Sequence, residues 1–163
     1  ERETMKTEGK KIIELLNDVL TAELTAINQY FVHGEMAENW GYERLAKIVR
    51  KHSIGEMKHA EELIERILFL EGVPNVQKLN KINIGETISE QFKVDLALEL
   101  DAVERLNKGV EECREAGDNG SRLLIEDILK SEEEHIDWIE SQISLISQVG
   151  EKNYLAAQIR EEE

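Results

Sequence analysis

Two stretches carry residue types that can hold a metal ion, Glu56-Met57-Lys58-His59 and Glu132-Glu133-Glu134-His135, each a Glu-x-x-His. On a helix, side chains three apart leave one face a single turn apart, so a carboxylate and an imidazole at this spacing can grip one ion. Thirty-three residues before each motif stands a lone glutamate in an apolar setting: Glu23 in Leu20-Thr21-Ala22-Glu23-Leu24, Glu99 in Leu96-Ala97-Leu98-Glu99-Leu100. The trio Glu23, Glu56, His59 therefore maps onto Glu99, Glu132, His135 by one shift of 76 positions, and Gly41 maps onto Gly117 by the same shift. One such motif alone would be weak evidence in a chain with 35 acidic residues. The matched shift makes it a duplicated helix pair with a ligand set in each half. Four carboxylates and two imidazoles suit two iron or manganese ions, which favour hard oxygen donors with imidazole over thiolate. The alternative is four buried acids paired with Lys or Arg.

These residues need long helices to position them, and the composition supplies them. A single Pro, ten Gly and abundant Glu, Leu, Ile, Ala and Lys favour helix. With 163 residues the expected organisation is one domain, spanning 1-163, with a sizeable core. Aromatic residues make up only 5%, so that core must be mainly aliphatic. No apolar run approaches the ~18 residues of a membrane span, and no signal-peptide pattern opens the chain. The opening Glu1 suggests a trimmed start, with Met5 as the natural one. The single Cys113 excludes an intrachain disulfide and Cys-x-x-Cys metal sites, and implies a reducing, cytoplasmic setting. A net charge of −15 argues against nucleic acid and against anionic membranes as partners.

Apolar residues Ile12, Ile13, Leu16, Val19, Leu20, Ala26, Ile27, Tyr30 and Phe31 recur at helical spacing, which predicts a first helix over Ile12–Asn39. Glu23 falls inside this stripe, where an unpaired carboxylate is costly and a metal is the natural partner. Tyr30 lies two turns further along the same face, placed to hydrogen-bond a ligating carboxylate or simply to fill the core. Asn39-Trp40-Gly41 turns the chain, and a second helix runs over Tyr42–Glu71, ended by Gly72 with Pro74 beyond. Its roughly thirty residues span about 45 Å. His52 stands four residues before Glu56 but has no counterpart in the second half, so it stays outside the ligand set.

Residues Gly72 to Glu86 read as a long connection, which lets the third helix run parallel to the second. Thr87-Ile88-Ser89-Glu90 is a capping box opening that helix, which ends near Gly117. Asp118-Asn119-Gly120-Ser121 makes the next turn, with Ser121 or a neighbour as the cap. Helix four runs to Val149 with an inward stripe of Leu124, Ile125, Ile128, Leu129, Ile136, Ile139, Ile143 and Ile146, interrupted by Glu132 and His135. Glu133 and Glu134 turn away from that stripe into solvent. A short fifth helix over Glu151–Ile159 and a frayed polar tail, Glu161-Glu162-Glu163, close the chain.

The chain closely resembles the bacterioferritins, the haem-containing branch of the ferritins. The matching stretches are Glu23-Leu24-Thr25-Ala26-Ile27-Asn28-Gln29-Tyr30-Phe31, Glu56-Met57-Lys58-His59-Ala60 and Glu65-Arg66-Ile67-Leu68-Phe69-Leu70-Glu71-Gly72. Further on they are Asp95-Leu96-Ala97-Leu98-Glu99-Leu100, Glu132-Glu133-Glu134-His135-Ile136-Asp137-Trp138 and Asn153-Tyr154-Leu155-Ala156-Ala157-Gln158-Ile159-Arg160. The resemblance implies an all-α, ferritin-like four-helix bundle with a long crossover between helices two and three and a short fifth helix. It implies a 24-subunit shell that oxidises Fe(II) with dioxygen or peroxide and stores the ferric mineral. It carries over Glu23, Glu56, His59, Glu99, Glu132 and His135 as ligands of two Fe ions per subunit, with Glu56 and Glu132 bridging. Met57 matches the methionine that binds haem b at a subunit two-fold, one haem per two chains.

Two departures stand out. Where the family often shows a His and an Asp lining an extra iron site on the cavity wall, this chain has Lys51 and Gly55. A protonated Lys is no ready ligand and Gly has no side chain, so the extra site loses its support. The docking surface for a small [2Fe–2S] ferredoxin is only partly echoed, by Glu86 and Glu90. Two other functions compete: a rubrerythrin-like di-iron peroxidase and a non-catalytic haem-binding helical shell. The first usually adds a Cys-rich module that one Cys cannot build.

Overall fold

The computed structural model describes residues 2–160, with side chains from residue 9 onward. The expected tail, Glu161 to Glu163, lies outside the described residues. Five helices follow in order: α1 (Arg2–Asn39), α2 (Glu43–Phe69), α3 (Ile88–Glu115), α4 (Asn119–Val149) and α5 (Glu151–Ala156). Helix α1 begins well before the expected Ile12 because Met5 is the one large apolar residue among residues 2–11, so apolar periodicity gives no signal there. Their Glu, Lys and Arg are nonetheless good helix formers. Helix α5 stops three residues short of the expected Ile159.

The caps explain most of the boundaries. Gly41 and Gly117 take left-handed conformations, φ 88° and 69°, just past α1 and α3. Each stands in a Schellman pair: Tyr42 N–H donates to Ala37 O and Gly41 N–H to Glu38 O, as Asp118 N–H does to Cys113 O and Gly117 N–H to Arg114 O. Helix α2 closes in the same way, but the left-handed residue is Glu71 at φ 61°, not the expected Gly72. Gly72 is needed for space instead, because a Cβ there would come within 2.8 Å of the Ile13 side chain. Thr87 caps α3 by accepting from Glu90 N–H, while the Glu90 carboxylate accepts from Glu86 N–H, one residue earlier than a strict capping box requires. Asp118, not Ser121, caps α4.

The crossover fixes the topology. Its residues meet α1 in succession: Val73 O accepts from Asn17 Nδ2, and Asn80, Asn83 and Gly85 N–H groups donate to Thr25 Oγ1, Gln29 Oε1 and His33 Nε2. The connection therefore climbs α1 from the end where α2 finishes to the end where α2 begins, so α3 must run parallel to α2. At the far end Arg66 of α2 donates to Asp118 and Ser121, tying α2 to the cap of α4.

The core is divided in two. Ile12, Leu16, Leu20, Leu63, Ile67, Leu106, Ile125 and Ile128 fill one half. Ala26, Tyr30, Leu45, Val49, Phe92, Ile139 and Tyr154 fill the other. On every long helix an acid stands at the division: Glu23 between Leu20 and Ala26, Glu56 between Val49 and Leu63, Glu99 between Phe92 and Leu106, Glu132 between Ile128 and Ile139. No helix among the described residues is long and apolar enough to cross a membrane.

Candidate metal centre

Each of the four long helices brings one buried carboxylate to the middle of the bundle, and α2 and α4 add an imidazole one turn later. His59 Nδ1 lies 3.4 Å from Glu23 Oε2, 3.3 Å from Glu56 Oε2 and 3.2 Å from Glu132 Oε1. His135 Nδ1 lies 3.2 Å from Glu99 Oε1. Two ligand groups result, each with its donor atoms within 4.8 Å of one another: Glu23, Glu56, His59, Glu132 and Glu56, Glu99, Glu132, His135. Glu56 and Glu132 belong to both. The six residues singled out in the sequence thus come together as two adjoining pockets of donors that share two carboxylates.

The electrostatics are those of a site short of positive charge. Glu99 Oε2, both carboxylate oxygens of Glu132 and His135 Nδ1 are buried without a hydrogen-bond partner. His59 is at ion-pair distance from Glu132 but not aligned for a hydrogen bond. Unpaired buried carboxylate oxygens are costly, and divalent cations are what this donor set fits. Among the described residues, the groups at ion-pair distance from these acids are the two imidazoles, not Lys or Arg. Burial, then the neighbouring Glu23, pushes the Glu56 carboxyl well above its usual range, and burial with Glu132 does the same to Glu99. Glu23 and Glu132 are raised too, first by burial. Burial opposes the charge on His59, but Glu132, Glu23 and Glu56 outweigh it and hold its pKa up to about 12. Without metal the centre is a store of protons; a cation entering it must displace them.

Tyr30 takes the first of its two expected roles, its hydroxyl donating to Glu99 Oε1. His52 packs its ring 4.0 Å from that of His135 and 4.7 Å from Trp138, and burial with the nearby His135 lowers its pKa to about 3. Lys51 and Gly55 line a cavity of about 260 Å³ with His59 and His135. Met57 points off the bundle and is 53% exposed, as its position one residue past Glu56 requires.

One set of residues escaped the sequence reading. Thr25, Gln29 and His33, spaced four apart on α1, hold the crossover, and Asp95 of α3 joins them by accepting from Gln29 Nε2 at 2.8 Å and facing His33 Nδ1 at 2.9 Å. The available signal was a buried-side row of polar residues at i, i+4 and i+8 beside an apolar stripe. The crossover so held carries Asn80, Lys81 and Asn83 over a second cavity, of about 350 Å³, floored by Glu23, Glu56, Glu99 and Glu132.

A four-helix bundle with a long crossover and a carboxylate–histidine centre between its helices is the ferritin-like class. Residues 13–149 match the family described as a ferritin-like domain. The bacterioferritin of Mycobacterium tuberculosis is 50% identical over 145 residues, 89% of this chain and 91% of the relative. Those of Streptomyces coelicolor and Brucella melitensis are 46% and 44% identical over 93% and 88% of this chain, and 90% and 89% of their own length. The chain belongs to the bacterioferritins, and iron storage is the function that this membership supports.

Proposed function

We propose that this chain oxidises Fe(II) at the centre built by Glu23, Glu56, His59, Glu99, Glu132 and His135, and stores the ferric product inside a 24-subunit shell. The observation that carries the reading is the pair of donor groups sharing Glu56 and Glu132, with carboxylate oxygens of Glu99 and Glu132 that accept no hydrogen bond among the described residues. Iron is substrate here. Two Fe(II) ions give up two electrons, which reduce dioxygen to hydrogen peroxide or hydrogen peroxide to water. The chain's part is to hold two ions side by side, to orient Glu99 through the Tyr30 hydroxyl, and to release protons as the cations bind. Glu56 and Glu132 bridge in this reading, while Glu23 and Glu99 are terminal ligands. Aerobic Fe(II) addition tests it. Glu56→Ala and Glu132→Ala are each expected to abolish rapid oxidation and leave assembly intact; normal rates in both would show the site assignment wrong.

The proposal extends to haem b between two copies. Met57 and Ile54, one turn apart on α2, are exposed at 53% and 51% on the outer face, and Met57 together with its symmetry mate would hold the haem across a two-fold contact. When bound, haem supplies one-electron redox chemistry. A small [2Fe–2S] ferredoxin as reductant and a cytoplasmic setting belong to the same reading, the latter in keeping with the buried thiol of Cys113.

A further inference from the structure

Gly55 sits inside α2, far from either end, where a glycine costs about 1 kcal/mol against alanine. Two common reasons for such a residue are missing. Its φ is not in the left-handed region, and a Cβ added there would meet nothing within 4 Å. The glycines elsewhere in the helices differ: a Cβ at Gly34 would come within 3.2 Å of Arg50, at Gly109 within 3.2 Å of Leu15, and at Gly120 within 2.6 Å of Arg66. Gly9 also faces open space, but it stands near the start of α1 and lines neither cavity at the metal centre. What Gly55 does line is the 260 Å³ cavity that runs from exposed Lys51 and Glu134 down to Glu56, His59 and His135.

The centre is therefore approached from two sides. The other approach, under the crossover, has Lys81 and Arg105 on its wall, with Asp101 already engaged by the Arg105 guanidinium at 2.9 Å. A divalent cation passing there meets Lys81 beside the Arg105–Asp101 pair, a surplus of one positive charge, whereas the Gly55 side sets Lys51 against Glu134. We infer that Gly55 keeps open a doorway between α2 and α4 through which hydrated divalent cations reach and leave the centre, the crossover side being left to uncharged molecules. The inference rests on the proposed metal centre.

Stopped-flow addition of Co(II) to the metal-free protein, followed by the visible bands of the bound ion, tests both. Gly55→Leu and the larger Gly55→Phe plug the doorway; Ala97→Leu plugs the cavity under the crossover, where Ala97 is an exposed wall residue. The Gly55 variants are expected to take up Co(II) about tenfold more slowly, because a steric barrier lowers the on-rate. Their final Co(II) stoichiometry is expected to stand and their thermal stability not to fall, and Ala97→Leu to load at the normal rate. Unchanged uptake in both Gly55 variants, or equal slowing in Ala97→Leu, overturns the doorway. No Co(II) bands in the unaltered protein would remove the metal centre itself and the doorway with it, an outcome distinct from the other two.

Discussion

Four glutamates within reach of one another cannot all stay ionised without a cation. Their pKa values are raised first by burial and then by one another, so the folded metal-free chain holds protons that the unfolded chain gives up. The native state then binds more protons than the unfolded state, and stability falls as pH rises above the ordinary carboxylate pKa of 4.5. His59 adds a loss of the same sign between its ordinary 6.5 and its folded value of about 12. The melting temperature of metal-free protein is accordingly expected to drop between about pH 5 and about pH 8, and added Co(II) to raise it most at the upper end. Glu99→Gln supplies permanently the neutral form that burial favours. It is expected to stabilise the metal-free protein at pH 8 by about 1–2 kcal/mol and to shrink the Co(II)-induced shift. Calorimetry of both forms across pH checks the sign.

Among the elements, the crossover depends most on side chains for its place. It has no helix of its own, and the N–H groups of Asn80, Asn83 and Gly85 are satisfied by one row of α1 side chains. Gln29 is the middle rung, accepting from the crossover and donating to Asp95 of α3. Gln29→Leu leaves Asn83 N–H and one Asp95 oxygen without those partners, at an expected cost of about 1–3 kcal/mol. Limited proteolysis is then expected to cut within residues 73–86 at a rate that the unaltered protein does not show, while α1 and α3 stay protected. Uniform cleavage across the chain would place the damage elsewhere.

For the molecule as a whole, the outer surface sets the terms of assembly. Large apolar side chains are exposed on several elements, among them Phe31, Met57, Leu68, Phe69 and Leu123, and the proposed shell would give such side chains partners to pack against. Twenty-four copies of an 18.7 kDa chain make a shell of about 450 kDa, which light scattering at moderate salt is expected to report. At −15 per chain the shell would carry −360, so very low salt is expected to loosen it through unscreened repulsion. Species no larger than a dimer at all salt concentrations would refute the assembly. The proposed haem belongs to this scale too, since Met57 of two chains would hold it. Met57→Leu in protein expressed with ample haem is expected to lose the Soret band and keep rapid Fe(II) oxidation. An intact band would assign the ligation to another residue.

The amino-acid sequence determined the architecture and the composition of the centre, because both are written in periods that a helix makes local. Apolar residues at helical spacing give the helices, the glycines at 41 and 117 give the turns, and the shift of 76 positions pairs the six donors. Proximity within each Glu-x-x-His followed from i, i+3 geometry alone, whereas bringing Glu23 and Glu132 to His59, and Glu99 to His135, took the packed bundle. Tertiary structure decided what depends on groups far apart in the chain. That Tyr30 serves Glu99 rests on a contact 69 residues apart, and that Thr25, Gln29 and His33 hold the crossover rests on contacts 52 to 55 apart. Gly72 and Gly55 look alike in sequence, as glycines within or just past α2. Only the packed bundle separates them, since a Cβ on one would meet Ile13 at 2.8 Å and on the other would meet open space beside the candidate metal centre. A missing side chain carries no pattern of its own, and its meaning comes entirely from the atoms that surround the gap.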